Sequence, residues 1–136
     1  MSFAGSGPLQ TAVFDALRND VPLGVIVGGA IYDAVPSGAL PPIYVRLGSE
    51  TAQDASDGAG AGALHRFTVS VITTQPGFAS AKQAGAAISD ALHNADLVLS
   101  RGRLVSLRFE RARAARISAG AARQVDLRFA ARVQDN

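Results

Sequence analysis

A chain of 136 residues holds one ordinary domain and one core. Hydrophobic residues make up 48% of it, but 26 are alanine, beside six phenylalanines, two tyrosines and no tryptophan, so bulky core material is scarce. The absence of cysteine excludes a disulfide scaffold, a cysteine nucleophile, a zinc finger and an iron–sulfur centre. The formal charge of +2 conceals a polarity. Residues 1–61 carry six acids against Arg18 and Arg46, a net of −4, and the remainder carries eleven bases against five acids, a net of +6. No apolar run approaches the roughly 18 residues of a membrane span. The opening Met1-Ser2-Phe3-Ala4 has neither the basic nor the apolar region of an export signal, so a soluble protein with no membrane partner is expected.

Ser6 and Pro8 suit a helix start, where a hydroxyl can accept from early amides and proline is tolerated. Leu9, Val13 and Leu17 then recur every four residues, which predicts an amphipathic helix to about Asn19, ended by Pro22 and Gly24. Val25 to Tyr32 reads as two short buried pieces around Gly28-Gly29. Pro36-Ser37-Gly38 and Pro41-Pro42 enclose a loop, and Ile43 to Leu47 alternates as an extended segment with an edge-strand entry. Residues 48–63 hold no large apolar side chain, which predicts a mobile loop. Leu64 to Thr74 alternates as a strand with Phe67, Val69 and Val71 on one side. After the Pro76-Gly77 turn, Ala79 to His93 reads as the main helix, with Ala84, Ile88, Ala91 and Leu92 on its apolar face. Leu97 to Leu99 is a candidate short strand. Leu104 to Ala112 then places Val105, Leu107 and Phe109 on one face and Ser106, Arg108 and Glu110 on the other. Val125, Leu127, Phe129, Ala131 and Val133 mark a last strand. The order implies a two-layer α+β domain: a mainly antiparallel sheet, helices packed on one face, arginines on the other.

No catalytic constellation stands out. His65 and His93 lack HxxxH or HExxH spacing and read as structural or surface residues. Asp54 and Asp57 lie in a glycine-rich stretch without the alternating oxygens of a calcium loop. Gly58 to Gly62 has no Walker lysine, so a phosphate cradle is not indicated. Asp33, Ser37 and His65 contain the elements of a hydrolase triad with no nucleophile elbow around them. No cofactor or metal is called for. Nine of the thirteen basic residues fall between Arg101 and Arg132, opposed there only by Glu110 and Asp126, and twelve of the thirteen are arginine. Its planar fork suits carboxylates and phosphates alike, which leaves subunit contact and nucleic-acid binding as alternatives. Phe109 and Phe129 alternate away from the arginines, so base stacking beside a positive groove is not expected.

Several segments carry a resemblance. Ile31-Tyr32-Asp33-Ala34-Val35-Pro36, then Pro41-Pro42-Ile43-Tyr44-Val45, Gly62 to Val71, Gly102 to Glu110 and Asp126 to Val133 together resemble the tail terminator, or tail completion, proteins of long-tailed bacteriophages, above all the branch carried by gene transfer agents. The resemblance implies a structural, non-enzymatic protein made in the bacterial cytoplasm and placed at the head-tail junction of a phage-like particle. It also implies a homo-hexameric ring that ends the tail tube, with the tail tube protein, a head-proximal connector or stopper protein, and DNA passing through the ring as partners. A passage that lets DNA slide cannot hold phosphates tightly, so many of the arginines are better spent on protein contacts. The candidate subunit or ring-interface residues are Asp54, Asp57, Arg103, Arg108, Glu110, Arg111, Arg113, Arg116, Asp126, Arg128 and Arg132.

Overall fold

A computed structural model of the chain describes residues 3–56, 58 and 60–135. Helix α1 runs Ser6–Arg18 and buries Leu9, Val13 and Leu17. Its cap is Gly5, and Ser6 lies in the first turn without capping it. Pro22 and Gly24 do not terminate structure: Asp20 accepts from the Leu23 amide at 3.0 Å and starts a second helix, α2, at Val21–Val27. Proline is tolerated there because first-turn amides need no intrahelical partner. Gly28, at φ +62°, ends α2.

A five-stranded sheet follows in the order β1-β2-β3-β5-β4, with β1 at Ile31–Tyr32, β2 at Ile43–Asp54, β3 at Gly62–Thr73, β4 at Arg103–Ile117 and β5 at Ala122–Gln134. Only β1 to β2 is parallel, and it spans two residue pairs. The sheet is therefore mainly antiparallel, and with the helices on one face the domain is α+β. The expected loop over 48–63 is mostly strand, since Glu50 to Asp54 pairs with Phe67 to Ala63 and the connection shrinks to 55–61. A strand ladder is made by backbone groups, so polar and small side chains do not prevent it.

Helix α3, Ala79–Leu92, buries Ala81, Ala84, Ala87, Ile88 and Leu92 against the sheet. Leu97 to Leu99 makes no strand; Asn94, at φ 59°, turns the chain there and Leu99 anchors it in the core. Just before it, the Asn94 amide donates to the Leu107 carbonyl at 2.8 Å and the Phe109 amide donates to His93 Nδ1 at 3.0 Å. The end of α3 thus satisfies part of the open β4 edge, which gives His93 a structural role.

Two irregularities reset β4, between Leu104 and Ser106 and between Phe109 and Arg111. Val105 is consequently 41% exposed and does not join Leu107 and Phe109 on the core face. Phe129 sits at the centre, fully buried, with Phe67 stacked at 5.6 Å and Phe109 edge-on at 5.9 Å.

A third irregularity lies in β2, where residues 48 and 49 intervene between the Leu47–Val69 and Glu50–Phe67 pairs. Without it the alternation from Val45 and Leu47 would send Glu50 to the open face. The extra residue turns Glu50 to the helix side. There its carboxylate accepts from the Ser6 hydroxyl and lies 2.8 Å from His65 Nδ1. His65, inside the strand that the alternation from Leu64 marks, is fully buried. The bulge also brings Gly48 against β3: a Cβ there would stand 3.1 Å from the Thr68 carbonyl oxygen.

Candidate interaction surface on the polar sheet face

Pairing across four strands lays the outward side chains in rows, at about 4.8 Å from strand to strand. One row reads Arg46, Ser70, Asp126, Arg113. The next places Thr68, Arg128 and Arg111 side by side, and a third reads Thr51, Arg66, Ala130, Arg108. Like charges directly opposite each other are unfavourable in a sheet, so the Arg128–Arg111 neighbours need an acidic group close by. Glu110, on the outward side that alternation with Phe109 sets, supplies it: Arg66 Nε donates to it at 3.2 Å and Arg128 Nε stands 3.7 Å away.

The two acids divide the face. Around Glu110, Arg66 and Arg128 are matched by a carboxylate, all three being about one-third exposed. Around Asp126, the carboxylate already accepts from the Ser70 hydroxyl at 2.5 Å and from Gln124 at 2.7 Å. Arg46, Arg108, Arg111 and Arg113 are exposed and have no ion pair or side-chain hydrogen bond among the described residues. Arg46, Arg111, Arg113 and Arg128 rim an open basin of about 580 Å³ with Asp126 and Ser70 in its lining. Three of the four guanidinium groups there retain their full donor capacity, a chemistry that holds anions in a fixed orientation.

The other residues singled out in the sequence lie outside these three rows. Arg103 donates to Gln134 at 2.6 Å, and Arg132 donates to the Ala55 carbonyl at 3.0 Å, tying β5 to the 55–61 connection. Arg116 pairs with Arg123, whose register is that of the helix-facing side chains. Arg123 itself donates to the Gln75 carbonyl and lies 5.5 Å from the Phe78 ring. Asp54 accepts from the Ser56 hydroxyl at 2.6 Å, which holds its carboxyl below the usual carboxylate range. Asp57 lies outside the described residues. Sequence reasoning did not single out Arg46, although its outward place after Val45 was legible.

The buried Ser6, Glu50 and His65 group is not a nucleophile with its base. In such a relay the imidazole stands between hydroxyl and carboxylate, whereas here the carboxylate stands between the other two. Ser37 is exposed in the loop before β2, and His65 has no exposed surface with which to reach it. Among the described residues no cluster of three or more histidine or acidic side chains could hold a metal, and no helix is long and apolar enough to cross a membrane. Phe67, Phe109 and Phe129 lie against the core, so no ring interleaves with the arginines of the polar face.

The family model described as "Tail completion protein gp17" matches residues 11–134. A solved chain from "Virion of native gene transfer agent (GTA) particle" is 57% identical and superposes with a TM-score of 0.93, the alignment covering 98% of this chain and 99% of that one. A search of curated protein sequences gave no match. The chain thus belongs to the tail completion protein gp17 family, whose members are structural components of phage tails.

Proposed function

We propose that the chain forms a six-membered ring at the head-tail junction of a gene-transfer-agent or phage-like particle. The ring stops tail-tube polymerisation, offers a surface to the head-proximal connector or stopper protein, and leaves a central opening for DNA. The observation that carries this is the likeness to a gene transfer agent virion chain over nearly the full length of both chains. Closed rotational symmetry needs two different, complementary patches on each protomer. The open arginines of the sheet face and the acids of the other layer provide opposite charges for such a pair. Within the candidate interface, Arg108, Glu110, Arg111, Arg113, Asp126 and Arg128 share that face, and Asp54, Arg103, Arg116 and Arg132 would act at its margins.

Cryo-electron microscopy of purified particles tests the proposal. A sixfold ring of this chain at the head-proximal end of the tube is the expected result. A different position, or a copy number incompatible with a closed ring, overturns it.

A further inference from the structure

The two layers of the domain end in opposite unsatisfied charges. On the sheet side, Arg46, Arg111 and Arg113 border the basin with no partner among the described residues, and the lining carboxylate, Asp126, is already engaged by Ser70 and Gln124. On helices α1 and α3 of the other layer, Asp15 and Asp90 are exposed and likewise have no ion pair or side-chain hydrogen bond among the described residues. A protomer cannot neutralise these groups against one another internally, because its own sheet and core separate them. A second copy can.

We infer that the Arg46, Arg111, Arg113 and Arg128 basin receives exposed carboxylates of a second copy of this chain in a head-to-tail contact. The inference rests on the ring reading and names the surface that would build it. A heterologous contact of this kind uses one patch on each partner and leaves the complementary patch free, so it propagates until it closes. Carboxylates fit better than DNA on two grounds. Glu110 and Asp126 stand among the arginines and repel a polyphosphate, and the phenylalanines that could stack bases are buried on the opposite side of the sheet. Separate carboxylates on a folded surface can instead meet the open guanidinium groups one by one.

The test is sedimentation velocity of the full chain at low and high salt, comparing wild type, Arg111→Glu with Arg113→Glu, and Arg18→Glu with Lys82→Glu. The last pair makes the same charge change on the helix layer, where both residues are exposed. Wild type should self-associate, less so in high salt. The basin variant should weaken association by about tenfold or more, and the helix-layer variant should not weaken it. Thermal melts of both variants exclude unfolding as the cause. Equal weakening by both variants, or a wild type that stays monomeric, overturns the inference. Loss of affinity for a DNA duplex in the basin variant, with self-association unchanged, overturns it in favour of nucleic acid. A ring in the particle with this basin free of protein contacts also overturns it while the ring reading stands; absence of a ring removes both.

Discussion

Replacing Glu50 by alanine tests the inward bulge of β2 directly. Glu50 joins three elements: Ser6 in the first turn of α1, its own strand, and His65 in β3. Its side chain is 21% exposed and that of His65 is fully buried. Truncation leaves the His65 Nδ1 without its partner and the Ser6 hydroxyl without its acceptor, and His65 Nε2 already has no partner among the described residues. A buried polar group stripped of its partner costs about 1–3 kcal/mol, so two orphaned groups, one of them near enough to solvent to be rehydrated in part, give about 2–4 kcal/mol. With about 2.1 cal/mol/K of unfolding entropy per residue, 136 residues lose about 3.5 °C of Tm per kcal/mol, so the expected fall is about 7–14 °C. Differential scanning calorimetry at fixed protein concentration measures it. Glu50→Gln keeps an acceptor for the imidazole and should lose less than half as much. A fall of under about 3 °C for Glu50→Ala would refute the claim that the network ties α1 to the sheet.

Phe129→Ala removes the fully buried ring between Phe67 and Phe109 and should cost about 3–5 kcal/mol, read as a lower urea midpoint with little change in slope. Glu110→Gln releases Arg66 and Arg128, but both pairs are about one-third exposed. Its stability cost should stay within about 1 kcal/mol by the same melt, and a larger loss would mean the pairs are more desolvated than their exposure indicates. Ser56→Ala should raise the Asp54 carboxyl towards its ordinary value in an NMR titration, since the Ser56 hydroxyl is the main cause of the lowering. A carboxyl held low in the folded state contributes stability above its unfolded pKa and loses it as pH falls through the folded value. The variant should therefore have the flatter acid limb.

Much of this protein was legible locally. The four-residue spacing of Leu9, Val13 and Leu17 specifies α1, because 3.6 residues per turn brings those side chains to one stripe whatever they pack against. The strict alternation of β5 specifies which face of it is buried, and with it the outward direction of Arg128 and Arg132. Asp20 with Pro22 also forms a local start signal, although proline and glycine just beyond a helix more often mark its end.

Tertiary pairing decided the rest. Residues 48–54 have no apolar period to announce a strand, and they become one because β3 presents a ladder of unpaired backbone groups beside them. The bulges in β2 and β4 each shift the alternation by one residue, and so send Glu50 inward, leave Val105 exposed and bring Arg111 opposite Arg128. Of the outward arginines, the sequence by itself determined that β3, β4 and β5 carry them. Which ones Glu110 neutralises and which stay open around the basin depended on register. A side-chain period of two is a property of one strand, whereas a bulge is a mismatch between two strands and exists only once they are paired.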